Sequence, residues 1–341
     1  MRWYTPMKNS IIHIMVPEEK FAFPFIEFVN NHFPLDKHLF VILGMKNDKF
    51  EKLISKNIIF IDEKIKYLNL ILLMNYSNKI ILHGLWSQRI NQILFVNPWL
   101  YKKCYWVMWG GDFYFPEKQP FLQRYTIKSI GHLVTYIKGD YELAKKWYGA
   151  KGTYHECFMY SSNLYKEYNV IESNHETINI QIGNSADSTN NHIEVLQRLS
   201  KYADEDIKIF VPLSYGNENY AKEVIMKGKE LFGNKFKPMV DFMPFNEYLE
   251  FLGSIDIAIF AHKRQQAMGN TITLLGLGKK VYMRNDVTPW KLFNDLGVKL
   301  FDIKNINLDG INDKTKENNP YLIKEYFSEN NLKVQLKGVF R

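Results

Sequence analysis

The sequence has few cysteines and no long hydrophobic run, and both shortages exclude classes of protein. Its 341 residues include only Cys104 and Cys157, which are too few for a disulfide framework and too far apart for a metal cluster. We therefore expect two buried thiols in a reducing compartment. The best apolar run, residues 67–76, is too short to span a bilayer and contains two asparagines.

The sequence also shows no block of like charge and no secretory segment. The N-terminal residues 1–6 include a basic residue, but no apolar stretch with a cleavage site follows them, so we expect the protein to stay in the cytoplasm. The net charge of +8 favours anionic partners, which include nucleic acid, phosphorylated ligands and a negatively charged membrane. Charge alone does not choose among them. A hydrophobic fraction of 46% is enough to bury a core.

Short apolar runs alternate with longer amphipathic stretches in both halves, which predicts an α/β fold with parallel sheets. The first half has predicted strands at residues 11–16, 39–43, 58–61, 79–82, 105–109 and 133–137. In the second half they fall at residues 177–182, 207–212, 255–260, 280–283 and 299–301. The polar stretch 161–176 predicts a boundary between domains 1–165 and 166–317. A helical tail, 318–341, could pack back on the first domain.

The loop after the predicted strand 255–260 is the most informative part of the chain. Ligands bind beyond the carboxyl ends of the strands in open parallel sheets. Arg264 can bind a phosphate through its planar fork, and a helix that starts near Gly269 adds partial positive charge. Side-chain amides suit sugar hydroxyls because they both donate and accept. The polar residues of this loop are His262, Lys263, Arg264, Gln265, Gln266 and Asn270.

Two other loops of the second half carry candidate ligand-binding residues. Gly183 permits a sharp turn and close approach of a ligand, and Asn184 and Ser185 follow it before a helix start suited to phosphate. The alternative is an ordinary capped βα loop. Tyr215, after the next strand, could stack on a base or sugar, or could be a surface tyrosine.

The first half has its own candidates at strand ends. Gly110 and Gly111 precede Asp112, a carboxylate that suits a base or a sugar-hydroxyl acceptor, or else simply a turn. His13 alone is more typical of a core histidine. His83 ends a strand, and Lys138 could face either a ligand or solvent.

Aromatic residues alternate with Lys and Arg at residues 95–103 and 113–125. Rings and cations in this arrangement suit the interface of a membrane, where both sit at headgroup depth. Partly buried helix faces are the alternative. Contact with an anionic membrane surface is therefore one hypothesis for this half.

These motifs, taken together, resemble the bacterial 4-acetamido-4,6-dideoxygalactose (Fuc4NAc) transferase family. This is glycosyltransferase family 56, often labelled 4-α-L-fucosyltransferase. The resemblance covers roughly residues 11–302, and an ordered set of motifs is more specific than a single glycine motif. The motifs that carry it are residues 82–85, 105–112, 138–142, 183–187, 211–216 and 263–270.

The resemblance implies a GT-B-type fold, with two Rossmann-like domains whose parallel sheets face across a cleft. It also implies a dTDP-sugar donor, an undecaprenyl-diphosphate-linked saccharide acceptor and a peripheral place at the cytoplasmic face of the plasma membrane. The family completes the lipid-linked repeat of enterobacterial common antigen, and a related capsule or surface glycan is the expectation here. No Asp-x-Asp motif lies in a loop that suits a metal, so we expect metal independence and no cofactor.

The resemblance also assigns roles. Arg264 would neutralise the leaving diphosphate in place of a metal, and Asp112 would be the base or would orient the acceptor. The donor-binding set is Gly183, Asn184, Ser185, Tyr215, His262, Gln265, Gln266, Gly269, Asn270 and Thr271. The acceptor-binding set is His13, His83, Gly110, Gly111 and Lys138.

Two competing hypotheses account for the same sequence features. A nucleotide-sugar epimerase or hydrolase of the same fold would need no acceptor and no membrane surface. A non-catalytic basic module would bind nucleic acid or membrane with a steep dependence on salt. The second is disfavoured because its charges would lie on one face rather than at strand ends, so we expect no nucleic-acid partner.

Overall fold

The structure, a computed structural model, describes residues 10–45, 55–166 and 176–341. The N-terminal hexapeptide and residues 167–175 of the predicted boundary stretch lie outside them. The chain forms two compact units. Unit 1 comprises Met1–Asn163 and Glu329–Arg341, and unit 2 comprises Leu164–Ser328.

Each unit is built on one parallel sheet, and the described residues form seven strands in unit 1 and six in unit 2. The strands of unit 1 are β1 (Ile11–Met15), β2 (His38–Leu43), β3 (Ile58–Ile61), β4 (Lys79–His83), β5 (Cys104–Val107), β6 (His132–Val134) and β7 (Thr153–His155). The strands of unit 2 are β8 (Ile178–Ile182), β9 (Ile207–Pro212), β10 (Phe236–Met239), β11 (Ile257–Phe260), β12 (Lys280–Met283) and β13 (Phe301–Asp302).

The first ten helices connect successive strands, as parallel pairing requires, and the last two follow β13. They are α1 (Glu19–His32), α2 (Lys66–Tyr76), α3 (Gln88–Val96), α4 (Phe121–Ser129), α5 (Lys138–Tyr148), α6 (His192–Leu199), α7 (Glu218–Phe232), α8 (Phe245–Gly253), α9 (Met268–Gly276), α10 (Thr288–Asp295), α11 (Asp313–Tyr326) and α12 (Glu329–Phe340).

Both sheets are doubly wound. The strand order is β3-β2-β1-β4-β5-β6-β7 in unit 1 and β10-β9-β8-β11-β12-β13 in unit 2. In each case the chain builds outward from a central strand, then returns to that strand and builds the other way. The strand order therefore switches between β1 and β4 and between β8 and β11, and such switch points open a crevice at the carboxyl ends of the strands.

The central strands are buried on both faces. All five residues of β1 and all four of β11 are buried, as expected for parallel strands covered by helices. The sequence predicts these strands because both faces are apolar. It does not predict β7 and β10, each of which is one of the two edge strands of its sheet. An edge strand tolerates the polar and proline residues found there, such as Lys237 and Pro238.

Helix α12 packs on unit 1, although it lies at the end of the chain. Leu332, Leu336 and Val339 are buried on one face of this helix. The ring of Phe340 lies 4.6 Å from that of His38, measured between ring centroids. The ammonium of Lys79, at the start of β4, donates to the carbonyl of Val339 at 2.7 Å. Helix α11, by contrast, belongs to unit 2.

Two helical glycines allow a test of how closely α7 packs on β10. A Cβ atom on Gly228 would lie 2.2 Å from Cε2 of Phe236, whereas one on Gly338 in α12 would meet nothing within 4 Å. We predict that Gly228→Ala lowers the free energy of unfolding by about 1–3 kcal/mol, because the ring must move in a packed core. Gly338→Ala should raise it by about 0.5–1 kcal/mol through helix propensity. Urea unfolding followed by circular dichroism measures both, and equal effects would contradict this account.

Candidate functional site

The candidate site in unit 2 is formed by three loops at the carboxyl ends of β8, β9 and β11. These loops are residues 183–191, 213–217 and 261–267. Strands β8 and β11 are neighbours at the switch point, and β9 flanks β8. The topology thus brings together the loops that carry most of the predicted donor-binding residues.

The buried side chain of Asn190 joins two of these loops. Its Oδ1 accepts a hydrogen bond from the N–H of Asn184 at 2.9 Å and lies 2.7 Å from Nε2 of His262. Its Nδ2 donates to the carbonyl of Asp187 at 2.9 Å and to Oγ of Ser185 at 3.3 Å. One amide therefore fixes the loop after β8 and attaches it to the loop after β11.

The imidazole of His262, which contacts Asn190, is uncharged. Its ring is 4% exposed and stacks on Phe260 at 5.7 Å between ring centroids. Burial, with a smaller contribution from the Arg264 charge, lowers the pKa of His262 to about 3. The neutral ring donates from Nε2 to Oδ1 of Asn190, and this hydrogen bond positions the loop after β8. Binding of the nucleotide sugar by His262 stays a prediction.

Further hydrogen bonds connect the same loops. The hydroxyl oxygen of Thr189 lies 2.8 Å from Oε1 of Gln266. Asn191 donates through Nδ2 to the carbonyl of Ala261 at 2.7 Å. These contacts hold the loops after β8 and β11 in one arrangement, which reduces the entropic cost of ordering them around a ligand.

The loop after β9 adds an exposed aromatic residue. Tyr215 is 58% exposed, and its hydroxyl accepts from Nδ2 of Asn184 at 2.8 Å. The N–H of Ala186 donates to the carbonyl of Tyr215 at 2.7 Å. The structure therefore brings Tyr215 to the loop that contains Asn184 and Ser185 while leaving its ring accessible.

Arg264 provides the positive charge of this site. Its Nη2 lies 3.6 Å from a carboxylate oxygen of Asp187, and its side chain is 18% exposed. Burial raises the pKa of the Asp187 carboxyl, whereas hydrogen bonds from Thr189 and the charge of Arg264 lower it. The lowering effects are larger together, so the pKa lies below its ordinary value. The guanidinium is thus held beside the loop that follows β8.

Helix α9 begins next to Arg264. Ala267 adopts a left-handed backbone, with φ of 55°, immediately before the helix. Gly269 and Asn270 lie in the first turn, where backbone N–H groups lack helical partners, whereas the N–H of Thr271 donates to the carbonyl of Ala267. Thr271 is fully buried and donates to the carbonyl of Ala267, while Asn270 donates to Tyr248. Gly269 and Asn270 are therefore better placed than Thr271 to meet a ligand.

Two buried polar atoms of the site have no hydrogen-bond partner among the described residues, namely Nε2 of His192 and Oε1 of Gln265. A Cβ atom on Gly183 would lie 2.5 Å from Nε2 of His192, and the φ of Gly183 is +64°. A glycine is therefore required at this position on both grounds. Buried polar atoms are normally satisfied, so these two are groups that a ligand or water can satisfy.

In unit 1, Asp112 is fully buried and accepts three hydrogen bonds. Trp106 donates to Oδ2 through its indole at 2.7 Å, and the N–H of Leu85 donates to it at 3.1 Å. The N–H of Trp109 donates to Oδ1 at 3.1 Å. Burial raises the pKa of Asp112 to about 6, although these bonds oppose it. The geometry supports an orienting role, since the carboxylate joins the loops after β4 and β5 and is not exposed to a substrate.

His13 and His83 form a buried hydrogen-bonded chain. His13 lies 3.0 Å from Nδ1 of His38 and 3.2 Å from Nε2 of His83, and His83 lies 2.7 Å from the hydroxyl of Tyr160. The indole of Trp109 donates to the same hydroxyl at 2.9 Å. An indole only donates, so the hydroxyl oxygen of Tyr160 accepts from Trp109, and its own proton can go to His83, with each neutral histidine donating to the next. For His13, which is fully buried, the geometry supports the core-histidine alternative.

The other predicted acceptor residues lie at strand or helix ends. Gly110 has φ of +77° in the turn that carries Asp112. Lys138 is exposed at the first position of α5. No bond in the described residues joins Lys138 to the cluster around Asp112. Their role in acceptor binding stays a prediction.

The sequence predictions do not include three residues. Asn190 and Tyr160 form buried hydrogen bonds in units 2 and 1, and Trp86 lies at the carboxyl edge of the unit 1 sheet. A buried asparagine or tyrosine in a loop has the same sequence signature as an exposed one. Trp86 directly follows the motif 82–85, and this position was the one signal available.

The described residues show no group of three or more His, Cys, Asp or Glu side chains arranged to hold a metal ion. None of the helices described is long and apolar enough to cross a membrane.

Comparison with solved structures identifies the fold. A glycosyltransferase from Rickettsia africae matches with a TM-score of 0.68 and 14% identity, over 98% of each chain. Anabaena HepE in complex with UDP and glucose matches with a TM-score of 0.60 and 11% identity, over 97% of this chain and 93% of HepE. WaaG, a glycosyltransferase involved in lipopolysaccharide biosynthesis, matches with a TM-score of 0.59 and 10% identity, over 96% and 98%. The fold is GT-B-type, as the resemblance implied.

The family follows from the sequence. The chain belongs to glycosyltransferase group 56, described as 4-alpha-L-fucosyltransferase, whose family model matches residues 21–317. The resemblance is therefore confirmed, and the protein is a glycosyltransferase.

The buried histidines predict how stability depends on pH. Burial lowers the pKa of both His83 and His262 from 6.5 to about 3, so below pH 6.5 the unfolded chain binds more protons than the folded chain. We predict that the free energy of unfolding falls from pH 7 to pH 5, by up to about 2 kcal/mol for each such histidine. Urea unfolding at pH 7, 6 and 5 measures this. His83→Gln should give a shallower decline, and an unchanged slope would contradict the assignment.

Proposed function

We propose that this glycosyltransferase moves a deoxy-amino sugar, similar to Fuc4NAc, from a dTDP-sugar to an undecaprenyl-diphosphate-linked saccharide. The product would serve a surface glycan such as enterobacterial common antigen or a capsule, at the cytoplasmic face of the plasma membrane. The observation that carries the proposal is the position of Arg264 beside the first turn of α9, at the switch point of the unit 2 sheet.

A diphosphate suits this position for two physical reasons. The guanidinium of Arg264 presents a planar set of donors that matches phosphate oxygens, and the first turn of α9 adds unsatisfied N–H groups and partial positive charge. Nη2 of Arg264 lies 3.6 Å from a carboxylate oxygen of Asp187, so a diphosphate would compete with that carboxylate for the same charge. HepE, a protein of the same fold, has been captured with UDP and glucose.

Stabilisation of the leaving group is the chemical role of Arg264 in this proposal. As the bond between sugar and diphosphate breaks, negative charge develops on the departing oxygen, and a fixed cation stabilises it. Gln265, Gln266 and Asn270 supply donors and acceptors for sugar hydroxyls. We propose that the reaction needs no metal, because Arg264 neutralises the diphosphate.

Substitution of Arg264 tests the donor site. We predict that Arg264→Ala lowers kcat/KM for dTDP-sugar by about 100-fold, and that Arg264→Lys lowers it by about tenfold because the planar fork is lost. The control is Arg284→Ala in the same unit, since the Arg284 side chain is 19% exposed against 18% for Arg264 and pairs with Asp286. Activity is measured with radiolabelled dTDP-sugar and lipid-linked acceptor, with and without EDTA.

The outcomes separate the alternatives. Thermal shift of the wild type with dTDP, UDP and GDP identifies the nucleotide, and no shift with any of them would count against the donor site. Loss of activity in EDTA would refute metal independence. Free sugar or an epimerised nucleotide sugar formed without acceptor would favour the epimerase or hydrolase.

We further propose that one helical face of unit 1 contacts the membrane. Helices α2, α3 and α4 and the 3-10 helix Pro98–Lys103 contain no Asp or Glu. Hydrogen bonds and ring contacts connect them, such as Trp99 to Asn75 and Phe95 to Tyr125. Their exposed apolar side chains are Leu68, Leu72, Tyr76, Phe95, Val96, Trp99, Phe121 and Tyr125.

The composition of this face matches an anionic lipid surface. Leu68, Leu72 and Tyr76 form a stripe at four-residue spacing on α2, which can insert at headgroup depth. Exposed basic residues on the same elements are Arg89, Lys102, Arg124 and Lys128. Phe113 and Tyr114, which belong to the predicted interfacial stretch 113–125, are buried in the core. The proposed membrane-contacting face therefore does not include them.

Vesicle binding tests the face with matched pairs. We predict that Lys102→Gln weakens binding to vesicles of phosphatidylglycerol and phosphatidylethanolamine by about fivefold, since each basic residue near an anionic surface contributes about 1 kcal/mol. Leu72→Ser should also weaken it. The controls are Lys237→Gln and Met226→Ser, exposed residues of the same types in unit 2. Equal effects of the unit 1 and unit 2 substitutions, or equal binding to neutral phosphatidylcholine, would contradict the proposal.

A further inference from the structure

Trp86 occupies the carboxyl edge of the unit 1 sheet at its switch point. It follows β4 by three residues and precedes α3, whose first turn is capped by the hydroxyl of Ser87. Its neighbour Leu85 is 2% exposed, whereas Trp86 is 42% exposed. A large aromatic side chain therefore lies open at the place where this topology forms a ligand crevice.

Two glycines from different loops lie against the indole of Trp86. A Cβ atom on Gly84, whose φ is +81°, would lie 2.2 Å from Nε1 of the ring. A Cβ atom on Gly111 would lie 2.8 Å from Cη2, at the opposite end of the ring. The indole thus spans both glycines along its length, and any larger residue at either position would displace it.

A second indole stands perpendicular to the first. The rings of Trp86 and Trp109 are 6.3 Å apart between centroids, with an interplanar angle of 85°. Trp109 is itself fixed, since its Nε1 donates to Tyr160 and its ring meets the edge of Phe21 at 4.5 Å. We call this pair, Trp86 and Trp109, the indole corner.

The backbone beneath the indole corner is held by Asp112. Its carboxylate accepts from the N–H of Leu85, next to Trp86, and from the N–H of Trp109 itself. One buried carboxylate therefore sets the distance between the two loops that present the rings. Because the corner is ordered before a ligand arrives, binding loses little conformational entropy.

A pyranose ring is the ligand that this corner fits. One face of many pyranoses presents C–H groups, which carry slight positive charge and pack against the negative face of an aromatic ring. The hydroxyls then point outward, where water or polar side chains can satisfy them. A glycosyltransferase must hold an acceptor saccharide, and the candidate diphosphate site lies in the other unit.

We propose that the indole corner binds a pyranose ring of the acceptor saccharide, with Trp86 as the stacking surface and Trp109 as the perpendicular wall. The proposal rests on the proposed function only in naming the acceptor as the occupant. It gives Asp112 and Tyr160 positioning roles, because each holds one side of the corner without touching the sugar. Trp86 thereby becomes an acceptor-binding residue of unit 1 that the sequence predictions lack.

Saturation-transfer NMR tests the corner without any nucleotide. The probes are the methyl glycosides of glucose, galactose, N-acetylglucosamine and glucuronic acid, each with purified full-length protein. We expect ring C–H protons of one pyranose face to receive saturation in the wild type. Trp86→Ala should raise the half-saturating concentration by about tenfold or more, while Trp86→Phe should stay within about threefold because an aromatic face remains.

Two further variants separate stacking from general damage. Gly111→Ala keeps both indoles but forces Trp86 to move, so it should weaken pyranoside binding as Trp86→Ala does. Tyr321→Ala removes an aromatic residue of unit 2 that is 64% exposed, and it should change nothing. Thermal unfolding of each variant shows whether the fold is intact.

The outcomes distinguish this inference from the proposed function. Absence of saturation with every pyranoside in the wild type, or equal binding by the folded Trp86→Ala variant, would overturn the inference. A Trp86→Ala variant that loses dTDP binding but keeps pyranoside binding would overturn it too, since the corner would then serve the nucleotide. Failure of the wild type to bind dTDP while pyranoside binding depends on Trp86 would leave the corner in place and reject the dTDP donor.

Discussion

The buried amide of Asn190 is the constraint on which the site of unit 2 depends. Parallel strands leave their loops without partners at the carboxyl edge, so something other than the sheet must fix those loops. Asn190 does so by accepting from Asn184 and His262 and donating to Asp187 and Ser185. Loss of this amide would leave several buried donors and acceptors unsatisfied at once, which is costly in a dry interior. The position of Arg264 beside α9 follows from the same arrangement, since the loop that carries it is the one attached through His262.

In unit 1 a buried carboxylate, rather than an amide, fixes the loops at the carboxyl edge of the sheet. Asp112 joins the loops after β4 and β5, as Asn190 joins those after β8 and β11. In both units a polar side chain is buried at a loop where a ligand is expected, and in both most of its hydrogen bonds are made to backbone groups or to indole and imidazole N–H groups. Rigid loops at a switch point suit an enzyme that must hold two substrates in a defined geometry, because misplacement of either substrate slows transfer. The chain of His38, His13, His83 and Tyr160 adds a second layer of support beneath the edge.

The sequence predicts the strands that are buried on both faces and the polar loop that follows one of them. Strands such as β1 and β11 are buried on both faces, so their apolar runs stand out, whereas β7 has only three residues and β10 contains a lysine and a proline, so neither gives a periodic signal. The same limit applies to the site. Arg264 and its loop are recognisable because polar residues cluster after a buried strand. Asn190 and Tyr160 are not, because their importance comes from contacts with residues far away in sequence, which only the fold brings close.

The return of α12 to unit 1 has a consequence for synthesis of the protein on the ribosome. Unit 2 is continuous, from Leu164 to Ser328, whereas unit 1 needs a segment from each side of it. Unit 1 begins first but is finished last, because the apolar face of Leu332, Leu336 and Val339 exists only once residues 329–341 have left the exit tunnel. Until then the rings of His38 and Phe33, which later contact Phe340, lack that cover. The half of the enzyme with the indole corner therefore completes its fold only after unit 2 has been translated.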